Sequence, residues 1–144
     1  MSFLDSMSIS ASALTATRLR MDVIAENMAN SNTTRTENGE PYRRKYVVFQ
    51  EKTSDGAFAA FFNKARAKPG GVRVLQIGTD MSEFKYDYNP SHPDADENGY
   101  VRMPNVEVVQ EMVDMMSAFR AYEANITALN TFKDMAVKTL EIGN

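Results

Sequence analysis

One short acidic segment has the residue types and spacing of a metal-binding loop. It runs Asp94-Ala95-Asp96-Glu97-Asn98-Gly99. Oxygen-bearing side chains occupy its first, third and fifth positions and glycine its sixth, as in the first half of an EF-hand calcium loop. The twelfth position, however, is Asn105 where a bidentate glutamate belongs, and Pro93 precedes the segment where a helix would end. A hairpin-like turn before a strand at Tyr100-Val101 explains the same residues, so we favour a turn and keep a calcium-binding module as an alternative.

Other catalytic or ligating chemistry is limited by the residue types present. The chain contains a single histidine, His92, flanked by Pro90 and Pro93, and it contains no cysteine. A lone imidazole in a proline-rich loop gives no basis for a histidine metal cluster or a Ser-His triad. The absence of cysteine excludes disulfides, thiolate nucleophiles and zinc fingers. We expect His92 to form a hydrogen bond within a turn, and the sequence predicts neither an enzyme nor a bound cofactor.

Length and composition indicate one small domain. The chain has 144 residues, of which 43% are apolar, and ten of them are methionines. A core can form, but methionine side chains make it soft and adaptable. We find no run of about 18 apolar residues that would span a membrane. The N-terminus also lacks a basic region followed by a purely apolar stretch, so we expect no ordinary secretory signal.

The strongest pattern is an apolar stripe near the C-terminus that repeats every seven residues. Proline and glycine are absent between Asn105 and Ile142, so one helix of roughly 55 Å is expected. An even heptad period is typical of a coiled-coil seam, which must lie against another helix. Lys133, the one charged residue of this apolar stripe, is expected to extend to solvent or to meet a carboxylate. The a and d positions of this register are Val108, Met112, Met115, Phe119, Tyr122, Ile126, Leu129, Lys133, Ala136 and Leu140.

A second helix, from about Ser6 to Asn30, is predicted at the other end of the chain. Its apolar row occupies one heptad position, whereas Ser10 and Thr17 interrupt the neighbouring row. The segment from Asn30 to Thr34 ends the helix because its side chains compete for backbone hydrogen bonds. We expect the two helices to pair within one subunit and their exposed faces to pack between subunits. The row consists of Met7, Leu14, Met21 and Met28, supported by Phe3, Ala11, Ile24 and Ala25.

Short alternating runs between the helices are typical of strands. They are Tyr42–Gln50, Val72–Ile77 and Glu83–Tyr88, separated by turn pairs such as Asn38-Gly39. Residues 57–67 fit either a short helix or a mobile loop. The predicted fold class is therefore α+β, with long terminal helices paired as a coiled-coil-like core and a small β region inserted between them.

Three parts of the chain follow from this pattern. We expect residues 1–35 to form the N-terminal helix of a helical core and residues 105–144 to form its long C-terminal helix. Residues 36–104 form the β-rich region, with a variable loop at 51–71. Asn105 is a plausible N-cap of the last helix, with Glu107 and Glu111 near the positive end of its dipole.

The net charge of −3 is unevenly distributed. Residues 41–78 carry eight Lys or Arg against two acids, and residues 79–114 carry two against nine. These segments either neutralise each other within a subunit or attract one another head to tail between subunits. Binding to nucleic acid is the least favoured explanation of the basic segment, because this segment lacks a recognisable motif and its acidic neighbour repels phosphates.

Three separated segments carry a resemblance to a known family. The end of the first helix contains an Ala-Asn-x-x-Thr step, formed here by Ala29, Asn30 and Thr33, which resembles the N-terminal signature of flagellar rod and hook proteins. The resemblance is closest to the proximal rod members of the flagellar basal-body rod family and covers nearly the whole chain except 51–71. The segments that carry it are Asp22–Thr34 and Thr34–Gln50, then His92–Val101 with Met103–Val106, and finally Met112–Asn125.

The resemblance implies a structural role. Rod proteins of this kind place both terminal helices in a shared inner tube and carry torque from the inner-membrane ring to the distal rod and hook. The implied partners are other proximal rod proteins, the rod–ring junction protein, the inner-membrane ring, the distal rod protein and further copies of the chain. The implied location is the basal body in the periplasmic space, reached through the flagellar type III apparatus.

Two other classes of protein stay open at this point. A type III secreted coiled-coil adaptor would share the helices but would stay soluble. A calcium-dependent binding module would use the acidic loop and would melt at a metal-dependent temperature.

Overall fold

Two long helices flank four short strands along the chain in the computed structural model, which describes residues 3–52 and 70–142. Helix α1 spans Phe3–Ala29 and helix α2 spans Val108–Ile142. The strands are β1 (Lys45–Glu51), β2 (Val72–Thr79), β3 (Lys85–Tyr88) and β4 (Tyr100–Met103). The predicted α+β fold is therefore confirmed. Residues 57–67, predicted as a helix or a loop, and most of the variable loop predicted at 51–71 lie outside the described residues.

The two helices pack against each other in antiparallel directions. Asn27, near the end of α1, donates a hydrogen bond to Glu111 in the first turn of α2. One turn further into α2, Asp114 lies 4.0 Å from Arg20 of α1. Residues 137–141 of α2 are all exposed, so the last turn receives little cover from α1. No helix within the described ranges combines the length and the apolar character needed to cross a membrane.

The strands form two separate antiparallel pairs. In the first pair, Lys45 is opposite Thr79 and Glu51 is opposite Val72, with an irregularity after Val48. In the second pair, β3 and β4 place Tyr88 opposite Tyr100. The rings of these tyrosines meet edge to face, with centroids 5.2 Å apart.

Strand β1 begins three residues later than the sequence pattern predicted. The backbone N–H of Tyr42 donates to the carbonyl oxygen of Thr33, and that of Arg44 donates to the side chain of Asn105. Both donors are therefore used outside the β1–β2 ladder. Hydrogen bonds to distant parts of the chain thus delay the start of this strand.

A close approach of backbones joins α1 to β2. Gly71 has a φ of +85°, and a Cβ at this position would lie 2.3 Å from Ser12 Oγ. The Ser12 hydroxyl donates to the carbonyl of Ile9 and accepts the N–H of Val72 at 3.0 Å. Glycine is required here both by the backbone conformation and by the space available.

The core lies where α1, α2 and the β region meet, and it is small. Because few large apolar side chains enter it, many of the others stay at the surface. Among the residues that the structure describes, its buried apolar members are Ala16, Val23, Ile24, Tyr42, Val101, Val106 and Ala118.

Candidate functional site: a buried polar junction and an uncovered helix face

A group of polar side chains, which we call the polar junction, joins the helices to the β region. Its members are Asn27, Tyr42, Arg44, Asn105 and Glu111. Asn27 is only 1% exposed and uses both ends of its amide. Its oxygen accepts the Tyr42 hydroxyl at 3.0 Å and the backbone N–H of Lys45 at 2.9 Å. Its nitrogen donates to the Lys45 carbonyl at 2.8 Å and to Glu111 Oε2 at 3.0 Å. One side chain of α1 thus fixes the start of β1 and the start of α2.

Glu111 is the buried charge of the polar junction, with 0% of its surface exposed. Arg44 Nε donates to Glu111 Oε1 at 2.6 Å, and the same guanidinium group lies 3.6 Å from Asp114. A buried carboxylate is costly unless it is paired and hydrogen-bonded. Both oxygens of Glu111 have such partners, so the charge is tolerated and holds Arg44 against α2.

Asn105 connects the polar junction to the loop before β3. Its side-chain oxygen accepts the backbone N–H of Arg44 at 2.8 Å, and its nitrogen donates to the Asp80 carbonyl at 3.0 Å and to Ser82 Oγ at 2.9 Å. The expectation that Asn105 caps the last helix is wrong. Helix α2 begins at Val108, and the Asn105 amide is committed to other segments of the chain.

The surroundings of two titratable groups shift their pKa values. Burial, followed by the negative charges of Glu26 and Glu111, raises the pKa of Tyr42 to about 12, because all three disfavour a phenolate. Hydrogen bonds from the backbone and hydroxyl of Ser82 lower the pKa of Asp80, because they favour its carboxylate. Tyr42 therefore keeps its proton and serves as a donor to Asn27.

The sequence pattern did not identify the polar junction. An acid in the first turn of a helix is usually explained by the helix dipole, and the sequence gives no other role to Glu111. Its buried position depends on Arg44, which is 67 residues away along the chain. The one sequence feature that points to burial of Glu111 is its spacing. It lies seven residues, about two helical turns, before Ala118, and both residues are buried on the same side of α2.

The predicted step at Ala29, Asn30 and Thr33 forms the turn that leaves α1. The side-chain nitrogen of Asn30 donates to the Glu26 carbonyl at 2.9 Å. The Thr33 N–H donates to the Asn30 carbonyl at 3.1 Å, and its hydroxyl donates to Asn30 Oδ1 at 3.2 Å. These bonds replace helical ones, so the chain turns toward Tyr42 and β1.

On α2 the structure separates the two predicted rows of the heptad register. One row begins at the exposed Val108 and is partly covered at Met115, Tyr122, Leu129 and Ala136. The other row is exposed and contains Met112, Phe119, Ile126, Lys133 and Leu140. The row that completes the covered side is Glu111, Ala118, Asn125 and Phe132, which the predicted register did not include. Within the subunit, only one of the two predicted rows is partly covered, because α2 is rotated so that Glu111 reaches the polar junction.

This rotation leaves a cluster of large apolar side chains in solvent, which we call the uncovered α2 face. Phe119 is 52% exposed and Met116 is 56% exposed. Exposed apolar side chains that are clustered in this way mark interaction surfaces. The members of the face are Val109, Met112, Val113, Met116 and Phe119.

Helix α1 is covered by α2 and by the β1–β2 pair. Ile24 is buried as expected, and Ser10, which interrupts the second predicted row, is also buried. Ala16 and Val23 are also buried, although they lie outside the predicted heptad row. The predicted row of Met7, Leu14, Met21 and Met28 is half-buried.

The acidic loop is a hydrogen-bonded turn. Asp96 Oδ1 accepts the backbone N–H groups of Asn98 and Tyr100 at 2.9 and 2.8 Å. Asp94 faces another segment, because its Oδ2 accepts the Thr34 hydroxyl at 2.8 Å. His92 Nδ1 accepts the backbone N–H of Asp94 at 3.1 Å, as a turn residue should. Among the described residues, no group of three or more His, Asp or Glu is arranged to hold a metal ion.

Within residues 3–52 and 70–142, ion pairs between the two oppositely charged segments form at one place. Arg44 belongs to the basic segment, whereas its partners Glu111 and Asp114 belong to the acidic one. A second basic residue, Arg43, lies over the ring of Phe84 with 4.1 Å between the guanidinium carbon and the ring centroid. Head-to-tail attraction between subunits stays a prediction.

Comparison with protein families agrees with this arrangement of helices at both ends. A family model described as "Flagella basal body rod protein" matches residues 7–35, within and just after α1. A second, described as "Flagellar basal body rod FlgEFG protein C-terminal", matches residues 97–142, from the acidic turn to the end of α2.

Individual relatives match nearly the whole chain. The flagellar basal-body rod protein FlgC of Bacillus subtilis (strain 168) is 49% identical over 146 residues, covering 96% of each chain. The FlgC protein of Borreliella burgdorferi is 44% identical over 149 residues, covering 99% of this chain and 98% of its own. That of Escherichia coli O157:H7 is 44% identical over 143 residues, covering 99% of each. This chain therefore belongs to the FlgC family of flagellar basal-body rod proteins.

Proposed function

We propose that this protein is a structural subunit of the bacterial flagellar proximal rod, where copies and related subunits assemble into a helical tube that transmits torque. The observation that carries this proposal is the uncovered α2 face in a chain of the rod family. Five large apolar side chains exposed to water do not stabilise a monomer, whereas their burial against a neighbouring subunit stabilises an assembly.

The two helices suit such a tube for a physical reason. Contacts between unlike faces of successive subunits do not close on themselves, so they generate a helical array. Long helices are stiff along their axes, and many neighbouring seams share a torsional load. Methionine side chains such as Met112 and Met116 adapt to neighbours that are similar but not identical.

The polar junction has a mechanical part in this function. Torque that passes between the β region and the helices must cross the connection between them. Asn27, Arg44 and Glu111 bind α1, β1 and α2 to one another by directional hydrogen bonds. Such bonds resist rotation better than apolar contacts, which allow sliding, so the junction keeps the β region fixed on the helical core.

We further propose the partners and the location of the protein. Its neighbours would be other proximal rod proteins, the rod–ring junction protein, the inner-membrane ring and the distal rod protein. It would function in the periplasmic part of the basal body after export through the flagellar type III apparatus. The small core supports this route, because a chain with few buried side chains can be exported unfolded and can order on its neighbours.

Gene replacement in a motile host tests this function. A strain that lacks the host's own FlgC should regain swimming and basal bodies when it produces this chain with a small tag, and the tag should be present in purified basal bodies. Ala118→Asp, which places a charge in the core, serves as a non-folding control. Restored swimming with the tagged chain absent from basal bodies would contradict a structural role and favour a soluble adaptor.

A further inference from the structure

We propose that the uncovered α2 face packs against the outer side of α1 in a second copy of this chain. The two helices run antiparallel, with Glu123 opposite Arg18 of the second copy. In the same register, Arg120 is opposite Asp22. This inference rests on the proposed function, because it names the neighbour and the register of the same assembly surface.

Charge complementarity selects the second copy as the occupant. Arg18 and Asp22 are exposed on α1, and Arg120 and Glu123 are exposed on α2. Within the described part of the chain, no ion pair includes any of the four. Arg18 and Asp22 are four residues apart, and Arg120 and Glu123 are three apart, so each pair spans about one helical turn.

The order of these charges also selects the direction of packing. The basic residue comes first in both helices, as Arg18 does in α1 and Arg120 does in α2. An antiparallel arrangement therefore places each basic residue opposite an acid. A parallel arrangement would place Arg18 opposite Arg120 and would be repelled. The pairing within the subunit is antiparallel as well, so one mode of helix packing serves both contacts.

The sizes of the side chains agree with the register that the charges define. Moving one turn beyond Asp22 on α1 brings the exposed Ala25 opposite Met116, and a further turn brings Ala29 opposite Met112 and Val113. Small residues on one helix and large ones on the other allow the axes to approach to about 8–10 Å. Met112, Val113 and Met116 would thus lie against the part of α1 whose exposed side chains are small.

The side of α1 that receives the second copy differs from the side that contacts its own α2. Asn27 and Ile24 are buried on the inner side, whereas Arg18 and Ala25 are exposed on the outer one. Each subunit therefore has two different contact surfaces, the uncovered α2 face and the outer side of α1. A contact of this type is heterologous, and it propagates from copy to copy instead of closing a dimer.

The absence of cysteine makes this register directly testable. One tagged chain carries Ala25→Cys and a second chain with a different tag carries Met116→Cys, and both are produced in the same cells. A short bis-maleimide added to purified basal bodies should link the two tags. Each chain has one thiol, so a link between unlike tags must join two copies. Ser8→Cys replaces Ala25→Cys in the matched control, which should not link because Ser8 is roughly 25 Å further along α1.

Charge reversal gives a second readout that needs no cysteine. Arg18→Glu and Glu123→Arg should each lower the yield of complete rods about tenfold, because each places like charges together. The double variant should restore the yield. Gln110→Arg should leave it unchanged, because Gln110 is exposed and in this register lies beyond Ala29, the last residue of the paired α1.

The outcomes separate this register from the proposed function. Basal bodies that contain both cysteine chains but show no Ala25–Met116 link, and no rescue by the double reversal, would overturn the register while leaving the function intact. A link from Met116→Cys to a different basal-body protein would overturn the second copy as occupant. Absence of the unmodified chain from basal bodies would instead overturn the proposed function.

Discussion

Asn27 and Glu111 meet across the antiparallel helices, with Asn27 Nδ2 3.0 Å from Glu111 Oε2 and both side chains nearly completely buried. A polar contact inside a helix pair sets its register, because sliding by one turn would leave both groups unpaired in an apolar environment. Single buried asparagines fix the register of coiled coils for the same reason. Here the contact also includes Arg44, so the register of the helices and the position of β1 are set together.

Removal of the Glu111 carboxylate should destabilise the protein more than removal of an exposed one. Glu111→Ala leaves Arg44 without its shortest partner and Asn27 Nδ2 without an acceptor, at a cost of about 3 kcal/mol in the free energy of unfolding. Glu111→Gln keeps an acceptor and should cost about half as much. Urea unfolding measures both, with the exposed Glu141→Ala as control. An unchanged midpoint for Glu111→Ala would contradict the structural importance of the polar junction.

Tyr42 should make stability depend on pH under alkaline conditions. Its pKa is raised from 10.0 to about 12 in the folded protein. The folded protein therefore keeps the phenolic proton that the unfolded chain loses above pH 10. The corresponding stabilisation is complete below pH 10 and declines as the pH rises to 12, by about 2–3 kcal/mol.

The variant Tyr42→Phe isolates this effect from the titration of lysines and other tyrosines. The difference in unfolding free energy between wild type and Tyr42→Phe should be constant from pH 7 to about 9 and should shrink above pH 10. Chemical unfolding at each pH measures this difference. A gap that stays constant up to pH 12 would show that the Tyr42 proton is not linked to folding.

Calcium should have no effect on the melting temperature, because Asp94 Oδ2 and Asp96 Oδ1 already accept hydrogen bonds within the protein. Addition of calcium and addition of a chelator should give the same thermal melt. Asp96→Ala removes the acceptor of two backbone N–H groups and should destabilise by about 1 kcal/mol, while Asp96→Asn should retain most of the stability. A calcium-dependent rise in melting temperature that Asp96→Asn abolishes would favour a binding module.

Two adjacent residues of α2 should separate folding from assembly. Ala118 is 2% exposed and Phe119 is 52% exposed. Ala118→Asp buries a charge between the helices and should cost more than about 3 kcal/mol. Phe119→Asp should leave the monomer's unfolding midpoint nearly unchanged but should block incorporation into basal bodies and swimming. Normal swimming of Phe119→Asp would show that the uncovered α2 face is not an assembly surface.

Much of the architecture could be predicted from local sequence patterns. The absence of proline and glycine and the heptad repeat located both helices, and Asn30 and Thr33 marked the turn after the first. Alternation located β2 and β3 to within two residues of the observed bounds. These signals are local, because backbone conformation responds to neighbours within a few positions. The rod-family resemblance was likewise read directly from Ala29, Asn30 and Thr33 and two later segments.

The amino-acid sequence by itself thus determined the helices, most of the strands and the family, but only the tertiary structure decided which side of each helix is inside. Two neighbouring rows of α2 are apolar, and hydrophobicity alone does not distinguish the covered row from the exposed one. The choice depends on Glu111, which is buried because Asn27, 84 residues away, and Arg44 supply its hydrogen bonds. A contact between distant residues leaves no periodic signal in the chain, and this contact rotates α2 so that Ala118 is covered and Phe119 is exposed.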